Sequence, residues 1–157
     1  MERSGQDSVD EIDIKILSEL VKDAKMPYTE IAERIFVSGG TVHVRMKKLE
    51  KLGVVNRATL DLNFAKLGFD ISAYLGIYLE KSSLYDRVVA DLEKIDEILT
   101  VYYTTGVYSI FAKIVCRDTH HLRNVLHDKI QPIEGITRTE TIIVLEKKLD
   151  RPINLLV

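Results

Sequence analysis

Basic side chains are concentrated in one short stretch of this 157-residue chain. Between Ser38 and Arg57 there are five Lys or Arg residues and one acidic residue, a local net charge of +4, whereas the whole chain carries −2. Such side chains suit contacts with phosphates, and Thr41, His43 and the methyl groups of Val44 suit base edges, including the thymine methyl group. The stretch predicts a local DNA-binding surface, and the overall charge excludes a general nucleic-acid binder.

Residue types that serve catalysis or metal binding do not assemble elsewhere in the sequence. His120, His121 and His127 lie near one another on a predicted helix, but no cysteine or carboxylate stands at a convincing ligand spacing. We therefore expect solvated histidines and no metal site. The single cysteine, Cys116, ends an apolar run and is expected to be a buried strand thiol. No nucleophile–histidine–acid arrangement or phosphate-binding loop stands out, which predicts that the protein is not an enzyme.

The basic stretch must be positioned by two short helices and a turn, all within residues 27–53. The first helix has apolar residues at helical spacing, namely Ile31, Ala32 and Ile35. Ser38 suits the N-cap of the second helix, and Gly53 suits its end. The second helix has an apolar stripe formed by Val42, Met46, Leu49 and Leu52. This pattern predicts a helix-turn-helix, for which DNA is the first partner to consider.

The face opposite that apolar stripe is the one expected to meet double-stranded DNA. At 100° per residue it presents Thr41, Val44, Lys47, Lys48 and Lys51, with His43 to the side and Arg45 on the flank. The expected DNA-binding residues are Ser38, Gly40, Thr41, His43, Val44, Arg45, Lys47, Lys48 and Lys51. The alternative is a solvated charged helix, but an apolar Val44 on this face is hard to justify without a partner surface.

The second half of the chain alternates strands with helices. The predicted strands are 72–80, 97–104, 107–116 and 136–146, and the predicted helices are 84–95 and 119–130. This βαββαβ order predicts a ferredoxin-like fold with an antiparallel sheet. Ahead of it, we expect a disordered lead at 1–8, a first helix at 9–23 and a short β wing at 53–61. The fold class is therefore α+β: a winged helix-turn-helix domain at 9–60, a linker at 61–71 and a ferredoxin-like domain at 72–157.

Both faces of the predicted sheet are apolar. One parity holds Tyr74, Tyr78, Phe111, Val115, Ile142 and Val144, and the other holds Leu75, Ile77, Ile110, Ile114 and Ile143. Helices cover only one face of such a sheet, so the other needs a second partner, most simply another copy of the chain. A homodimer is therefore expected.

No apolar run approaches 18 residues and the N-terminus is polar, which predicts a cytoplasmic, nucleoid-associated protein without a membrane partner.

The segments SGGTVHVRMKKLEKLGVV and YYTTGVYSIFAKIVCR, the second within the βαββαβ region, resemble the Lrp/AsnC (feast/famine) transcription regulators. The resemblance covers about residues 9–149. It implies a DNA-binding winged helix-turn-helix and a second domain, called RAM, that dimerises through its sheet. It also implies that dimers assemble into octamers or similar rings. Amino-acid effectors of this family bind between dimers, near the hairpin that here is Tyr102, Tyr103, Thr104, Thr105, Gly106, Val107, Tyr108 and Ser109.

The chemistry of that hairpin agrees with an amino-acid effector. No cofactor is expected. Backbone N–H groups near Gly106, with the hydroxyls of Thr104, Thr105 and Ser109, could bind a carboxylate. From the loop 131–135, Gln131 could pair with a side-chain amide such as that of asparagine, and Glu134 or Asp128 could bind the ammonium group. The other reading is a tight hairpin turn with tyrosines as interface packing.

Two residues depart from the family pattern at the turn before the second DNA-binding helix. Family members usually have glycine where this chain has Phe36, and commonly proline where it has Gly39. A bulky residue at a position that needs positive φ is strained, and Gly39 lacks the preset φ of proline.

The sequence therefore predicts a sequence-specific DNA-binding transcription regulator that responds to an amino acid. One alternative is a DNA-architectural protein without an effector. The other is an amino-acid-binding regulatory subunit of metabolism whose N-terminal helices only mediate assembly.

Overall fold

The structure, a computed structural model, describes residues 8–156, so most of the expected N-terminal lead lies outside the described residues. The chain forms two compact units. Of the described residues, one unit contains 8–61 together with 149–156, and the other contains 62–148. Among residues 8–156, no helix has the length and apolar character needed to cross a membrane.

The first unit is built on three helices, α1 (Glu11–Leu20), α2 (Tyr28–Ile35) and α3 (Gly39–Lys51). Helix α1 starts later than expected because Asp10 is its N-cap and forms a capping box with Asp13. The core between the helices consists of Ile16, Ile31, Ala32, Val42, Met46 and Leu49. These include five of the seven apolar positions predicted for the helix-turn-helix, and a sixth, Ile35, packs against the core while partly buried. The predicted pair of helices is confirmed.

The β wing predicted at 53–61 is wrong, since residues 55–61 form no strand. Helix α3 ends in a Schellman motif: Gly53 has a φ of 70°, its N–H bonds to the Glu50 carbonyl, and the Val54 N–H bonds to the Leu49 carbonyl. The Val55 N–H also bonds to Leu49. The backbone N–H groups of residues 53–55 thus cap the helix and are not available to begin a strand.

The second unit has the predicted βαββαβ order. Its strands are β1 (Ile71–Leu79), β2 (Ile98–Tyr103), β3 (Ile110–Cys116) and β4 (Ile136–Ile143), and its helices are α4 (Tyr85–Leu92) and α5 (Thr119–Asn124). The strands pair antiparallel in the order β2-β3-β1-β4. Strands that are consecutive in sequence but separated in the sheet are joined by the helices, as the ferredoxin-like prediction requires.

Several element boundaries differ from the predictions; β4, for example, ends at Ile143 rather than at 146. A 3₁₀ turn, Ser82–Leu84, precedes α4, and a π-helical segment, Val125–Ile130, continues α5. Strand β3 begins at Ile110 rather than at 107, because Thr104 and Ser109 close a longer connection: the Thr104 N–H bonds to the Ser109 carbonyl at 3.2 Å. The predicted two-residue turn is therefore a longer loop that carries 104–109.

The strand register places apolar side chains on both faces of the sheet, as predicted, and also places Lys113, Arg138 and Glu140 on one of them. One face supplies the core with Ala73, Leu75, Ile77, Ile110, Ala112 and Ile114, which pack against Val88, Leu92, Leu122, Val125 and Ile130 of the helical segments. Tyr74 and Phe111 stack on the other face with ring centroids 5.2 Å apart. No helix covers this second face within the described part of the unit, and we call it the open face.

Candidate nucleic-acid interface and effector hairpin

The start of α3 is held by Ser38, as predicted. The Ser38 hydroxyl accepts a hydrogen bond from the Thr41 N–H at 3.1 Å and shares a second one with the Thr41 hydroxyl at 2.8 Å. A serine N-cap satisfies a backbone donor that the helix leaves free. The Thr41 side chain is therefore fixed at the first turn of α3, the part of such a helix that contacts base edges.

The outward side of α3 carries four exposed side chains among the predicted residues, namely those of His43, Val44, Lys47 and Lys51. Val44 is 67% exposed although it is apolar. None of the ion pairs formed by residues 8–156 includes Lys47 or Lys51, so both ammonium groups face solvent. This side of α3 therefore offers two free cations and one apolar side chain.

Two of the predicted DNA-binding cations have another role in the structure. Arg45 contacts Asp10 at 2.6 Å and Asp13 at 3.0 Å, and Lys48 contacts Asp13 at 2.5 Å. Lys48 also donates to the Ser8 carbonyl at 3.2 Å. The prediction that Lys48 points outward is wrong. The long side chain of Lys48 folds back onto α1, where the buried Asp13 carboxylate attracts it.

These four residues, Asp10, Asp13, Arg45 and Lys48, form what we call the Asp13 network. The Asp13 side chain is 0% exposed, and burial alone would raise its pKa. Hydrogen bonds from Lys48, the Asp10 N–H and Arg45 outweigh that effect, so the pKa of Asp13 lies below its usual value. The hydrogen bond from Arg45 is the main reason that the pKa of Asp10 falls from 3.8 to about 2. The network therefore joins α3 to α1 through ion pairs.

The turn between α2 and α3 has the strain that the sequence predicts. Phe36 caps α2 with φ 59° and ψ 48°, the left-handed region, and its side chain is 95% exposed. Gly39 gives no comparable difficulty, because a Cβ there would meet only Thr29 Cγ2 at 3.7 Å.

The hairpin 102–109, where the family resemblance implies an effector site, uses several of its polar groups internally. The Thr104 hydroxyl donates to the Tyr108 carbonyl at 2.8 Å, and the Ser109 N–H donates to the Ile77 carbonyl at 3.1 Å. Gly106 has a φ of 108° and is exposed together with Thr105. The exposed polar groups of the hairpin are therefore the Thr105 hydroxyl, the backbone near Gly106 and the phenol groups of Tyr102 and Tyr103.

Tyr108 leaves the hairpin and lies on the open face. Its ring occupies the space above Gly76, where an added Cβ would lie 2.7 Å from the Tyr108 Cγ and closer still to Cδ1 and Cε1. Its hydroxyl donates to Glu140 at 2.7 Å, and the Tyr78 hydroxyl donates to the same carboxylate at 3.1 Å. Arg138 contacts Glu140 and lies 4.4 Å from the Tyr78 ring centre. We call Tyr78, Tyr108, Arg138 and Glu140 the Glu140 network.

The charges of the Glu140 network are linked through the hydroxyl of Tyr108. Its hydrogen bond lowers the pKa of Glu140, and the same bond raises the pKa of Tyr108. The predicted effector residue Tyr108 therefore connects the hairpin to the open face.

The loop that follows α5 provides one free group and one paired group. Gln131 is exposed, whereas the Glu134 carboxylate contacts Arg87 at 2.5 Å. Asp128, the other predicted partner for an ammonium group, contacts His127 at 2.6 Å. Among residues 8–156, no hydrogen bond joins this loop to the hairpin 102–109. An open cavity of about 490 Å³ beside the loop is lined in part by Arg87, Lys129 and Glu134.

The cysteine and one of the histidines lie among groups of the fold rather than in solvent. Cys116 is buried, as predicted, and burial raises the pKa of its thiol to about 11. His121, expected to be solvated, contacts Glu97 at 3.0 Å and accepts from the Arg117 N–H at 3.1 Å. No group of three His, Cys, Asp or Glu residues within 8–156 could hold a metal ion.

Sequence reasoning missed Asp10, Asp13, Gly76 and Glu140. The three-residue spacing of Asp10 and Asp13 ahead of an apolar helix was a readable signal for a capping box. Gly76 was also readable, because an isolated glycine inside a strand often marks a close approach of another group. Little in the local sequence marks Glu140, because its two tyrosine partners are 32 and 62 residues away in the chain.

Comparison with known proteins matches both units. The family model described as the Lrp/AsnC ligand binding domain matches residues 72–153, and a winged helix-turn-helix DNA-binding model matches residues 9–56. The chain is 41% identical over 145 residues to regulatory protein AsnC of Escherichia coli strain K12, covering 92% of this chain and 95% of that protein. It is 38% identical to the HTH-type transcriptional regulator FL11 of Pyrococcus furiosus, with 88% and 90% covered.

Solved structures agree with these matches. Escherichia coli AsnC superposes with a TM-score of 0.86 at 40% identity, covering 94% of this chain and 99% of that one. A transcriptional regulator of Neisseria meningitidis in complex with L-Met superposes with a TM-score of 0.85, covering 92% and 94%; at 21% identity this likeness shows the fold alone. The named relatives are regulatory proteins rather than enzymes.

Proposed function

This chain belongs to the Lrp/AsnC family of DNA-binding transcription regulators with a ligand-binding domain, and from that premise we propose that an amino acid controls its assembly or DNA binding. The effector binds where hairpin 102–109 of one dimer meets another dimer. Asparagine is the first candidate, because the exposed Gln131 amide is suited to a side-chain amide.

The DNA surface is the outward side of α3. The observation that supports it best is the exposed Val44 between His43 and Lys47, since an apolar side chain so placed has no partner within the described chain. We assign phosphate contacts to Lys47 and Lys51 and base contacts to Thr41, His43 and Val44. Ser38 and Gly40 shape the first turn, whereas Arg45 and Lys48 act by holding α3 in place.

The salt dependence of DNA binding tests whether Lys47 and Lys51 contact phosphates while Lys48 stabilises the fold. The double variant K47A/K51A should lower the slope of log K against log salt by about two, because each lost phosphate contact lowers it by about one. Its melting temperature should equal that of the wild type. Lys48→Ala should instead lower the melting temperature, because it leaves Asp13 with one cation fewer. The probe is a duplex selected by the full-length protein from a random pool, and an unchanged slope in K47A/K51A would refute the surface.

The open face supports a homodimer. Tyr74, Phe111 and the partly exposed Ile142 give it an apolar surface that one chain leaves uncovered. A second copy would bury it, and dimers would assemble further, with an octamer as the expected form. Phe111→Ala should loosen the dimer in sedimentation of the full chain, whereas Glu33→Ala on the surface of α2 should not. A stable, folded wild-type monomer at micromolar concentration would contradict the dimer.

The effector site draws on the groups that the hairpin leaves free. The backbone near Gly106 and the Thr105 hydroxyl are placed to bind a carboxylate. Because Thr104, Tyr108 and Glu134 already have partners, their role is to shape the site rather than to bind the ligand first. The complex of the neisserial regulator with L-Met supports an amino acid as the class of ligand.

Calorimetric titration with a panel of amino acids, including asparagine and methionine, tests the effector. Gly106→Val should abolish the response, because a β-branched side chain at positive φ is strained and blocks the backbone. Gln131→Ala should weaken asparagine binding more than alanine binding. DNA affinity without effector should survive both changes. If no amino acid binds at millimolar concentration while DNA binds normally, the protein is an architectural DNA binder instead.

A further inference from the structure

Phe36 occupies a position where the backbone favours glycine. Its N–H bonds to the Glu33 carbonyl, and the Val37 N–H bonds to the Ala32 carbonyl at 2.9 Å. This is the Schellman pattern that also ends α3, where the equivalent residue is Gly53. The two helix ends thus share one geometry, but one uses the permissive residue and the other uses a strained one.

The strain at Phe36 is not offset by packing within the chain. Within residues 8–156 it is the one non-glycine residue with a positive φ. Its neighbours Ile35 and Val37 pack against the core of the helical unit, whereas the Phe36 ring is 95% exposed. A residue that is disfavoured by its backbone and left in water by its side chain is explained by a partner that the ring meets.

We propose that Phe36 is a further DNA-contacting residue, which recognises a thymine methyl group beside the groove-facing end of α3. Phe36 lies between α2, which in this motif crosses the DNA backbone, and Ser38, the N-cap of the helix that enters the major groove. The ring has no polar atom for a phosphate or for a base edge. The thymine methyl group is the apolar feature of the major groove, and phenylalanine is one of the residues that contact it.

The test uses full-length protein and the duplex that it selects from a random pool, with each thymine replaced in turn by uracil, which lacks only the methyl group. For the wild type, one such replacement per half-site should lower affinity about fivefold, at the lower end of what a lost base contact produces. In Phe36→Gly and Phe36→Asn, the same replacement should have no effect. Phe36→Tyr keeps the aromatic ring and is the matched control, so it should keep the response to uracil.

The melting temperature gives a second, opposite readout. Phe36→Gly should raise the melting temperature of the protein, because glycine relieves the positive φ, while it lowers affinity for the thymine duplex. A merely structural role would move both quantities in the same direction. The proposal is overturned if Phe36→Asn keeps the wild-type response to every uracil, as it would if the ring served a protein partner.

This inference rests on the proposed placement of α3 in the groove, and the two fail separately. If α3 does not enter the groove, K47A/K51A keeps the wild-type salt slope. If only the Phe36 contact is wrong, that slope falls as expected and the uracil response does not depend on Phe36.

Discussion

Each unit of this protein gathers polar side chains around one carboxylate, but the two carboxylates differ in their partners. Asp13 is buried and is neutralised by Arg45 and Lys48, which come from another helix. Glu140 lies on the open face and accepts hydrogen bonds from the hydroxyls of Tyr78 and Tyr108, with Arg138 beside it.

The difference separates a network that holds the fold from one that prepares a surface. A buried carboxylate without its cations is strongly unfavourable, so the Asp13 network makes the position of α3 depend on α1. The Glu140 network is accessible, and its donors are aromatic side chains that also form the open face. Its removal should therefore alter association more than folding.

The largest loss of stability is expected when the buried carboxylate of Asp13 is removed. Asp13→Ala should lower the free energy of unfolding by about 3 kcal/mol, because Lys48 would be left near the core without a carboxylate and Arg45 would keep only Asp10. Urea denaturation of the full chain measures the loss. Glu33→Ala, an exposed carboxylate on α2, is the control and should stay within about 0.5 kcal/mol of the wild type. Equal effects of the two substitutions would show that the Asp13 network does not hold the fold.

A glycine substitution tests the network on the open face. Gly76→Ala should displace the Tyr108 ring and lower stability by about 2 kcal/mol, because the new Cβ overlaps the ring. Sedimentation should also show weaker self-association. The matched control is Gly40→Ala on α3, where a Cβ fits at 3.8 Å from Ser38 Oγ and should stabilise the helix. Self-association of Gly76→Ala at the wild-type level would separate Tyr108 from the interface.

Lowering the pH should have a smaller effect on the free energy of unfolding. A carboxylate whose pKa is lower in the folded chain stabilises the fold fully above its unfolded pKa, and this stabilisation disappears as the pH falls towards the folded pKa. For Asp10 the window lies between 3.8 and about 2. Its contribution should be about 1 kcal/mol, because the side chain is half exposed and solvent screens it.

Urea midpoints between pH 5 and pH 2.5 measure this acid loss. Arg45→Met should reduce the loss, because Arg45 is the main cause of the low pKa of Asp10. Tyr108→Phe should reduce it through Glu140, whose pKa the Tyr108 hydroxyl lowers. An acid loss in Arg45→Met as large as in the wild type would contradict the assignment for Asp10.

The elements of the fold were predictable where one face of a segment is apolar. The stripe through Val42, Met46 and Leu49 identified α3, and alternation in residues 72–80 identified β1, because burial selects those positions directly. The β wing was wrong because β-branched residues around Asn56 do not by themselves supply a partner strand. The 104–109 connection was longer than predicted because side-chain bonds from Thr104, not the glycine, define it.

The residues of the candidate site were predictable from the sequence, but the contacts that each side chain makes were not. The sequence pattern placed Lys47, Lys48 and Lys51 on one face, since a helical projection treats each side chain as a fixed direction. Lys48 instead reaches Asp13, which is 35 residues away in sequence. Similarly, Tyr108 looked like a hairpin residue, and its position above Gly76 depends on the pairing of β1 with β3.

The buried thiol of Cys116 has a consequence for how molecules of this protein associate. It is the single cysteine of the chain, it is enclosed in the core of the sheet unit, and its pKa is about 11. At neutral pH very little of it is thiolate, the form that attacks a disulfide. Folded copies therefore cannot be joined through a covalent sulfur bridge. Their association therefore does not depend on a disulfide between chains, and a change in the redox poise of the surroundings leaves it unaltered.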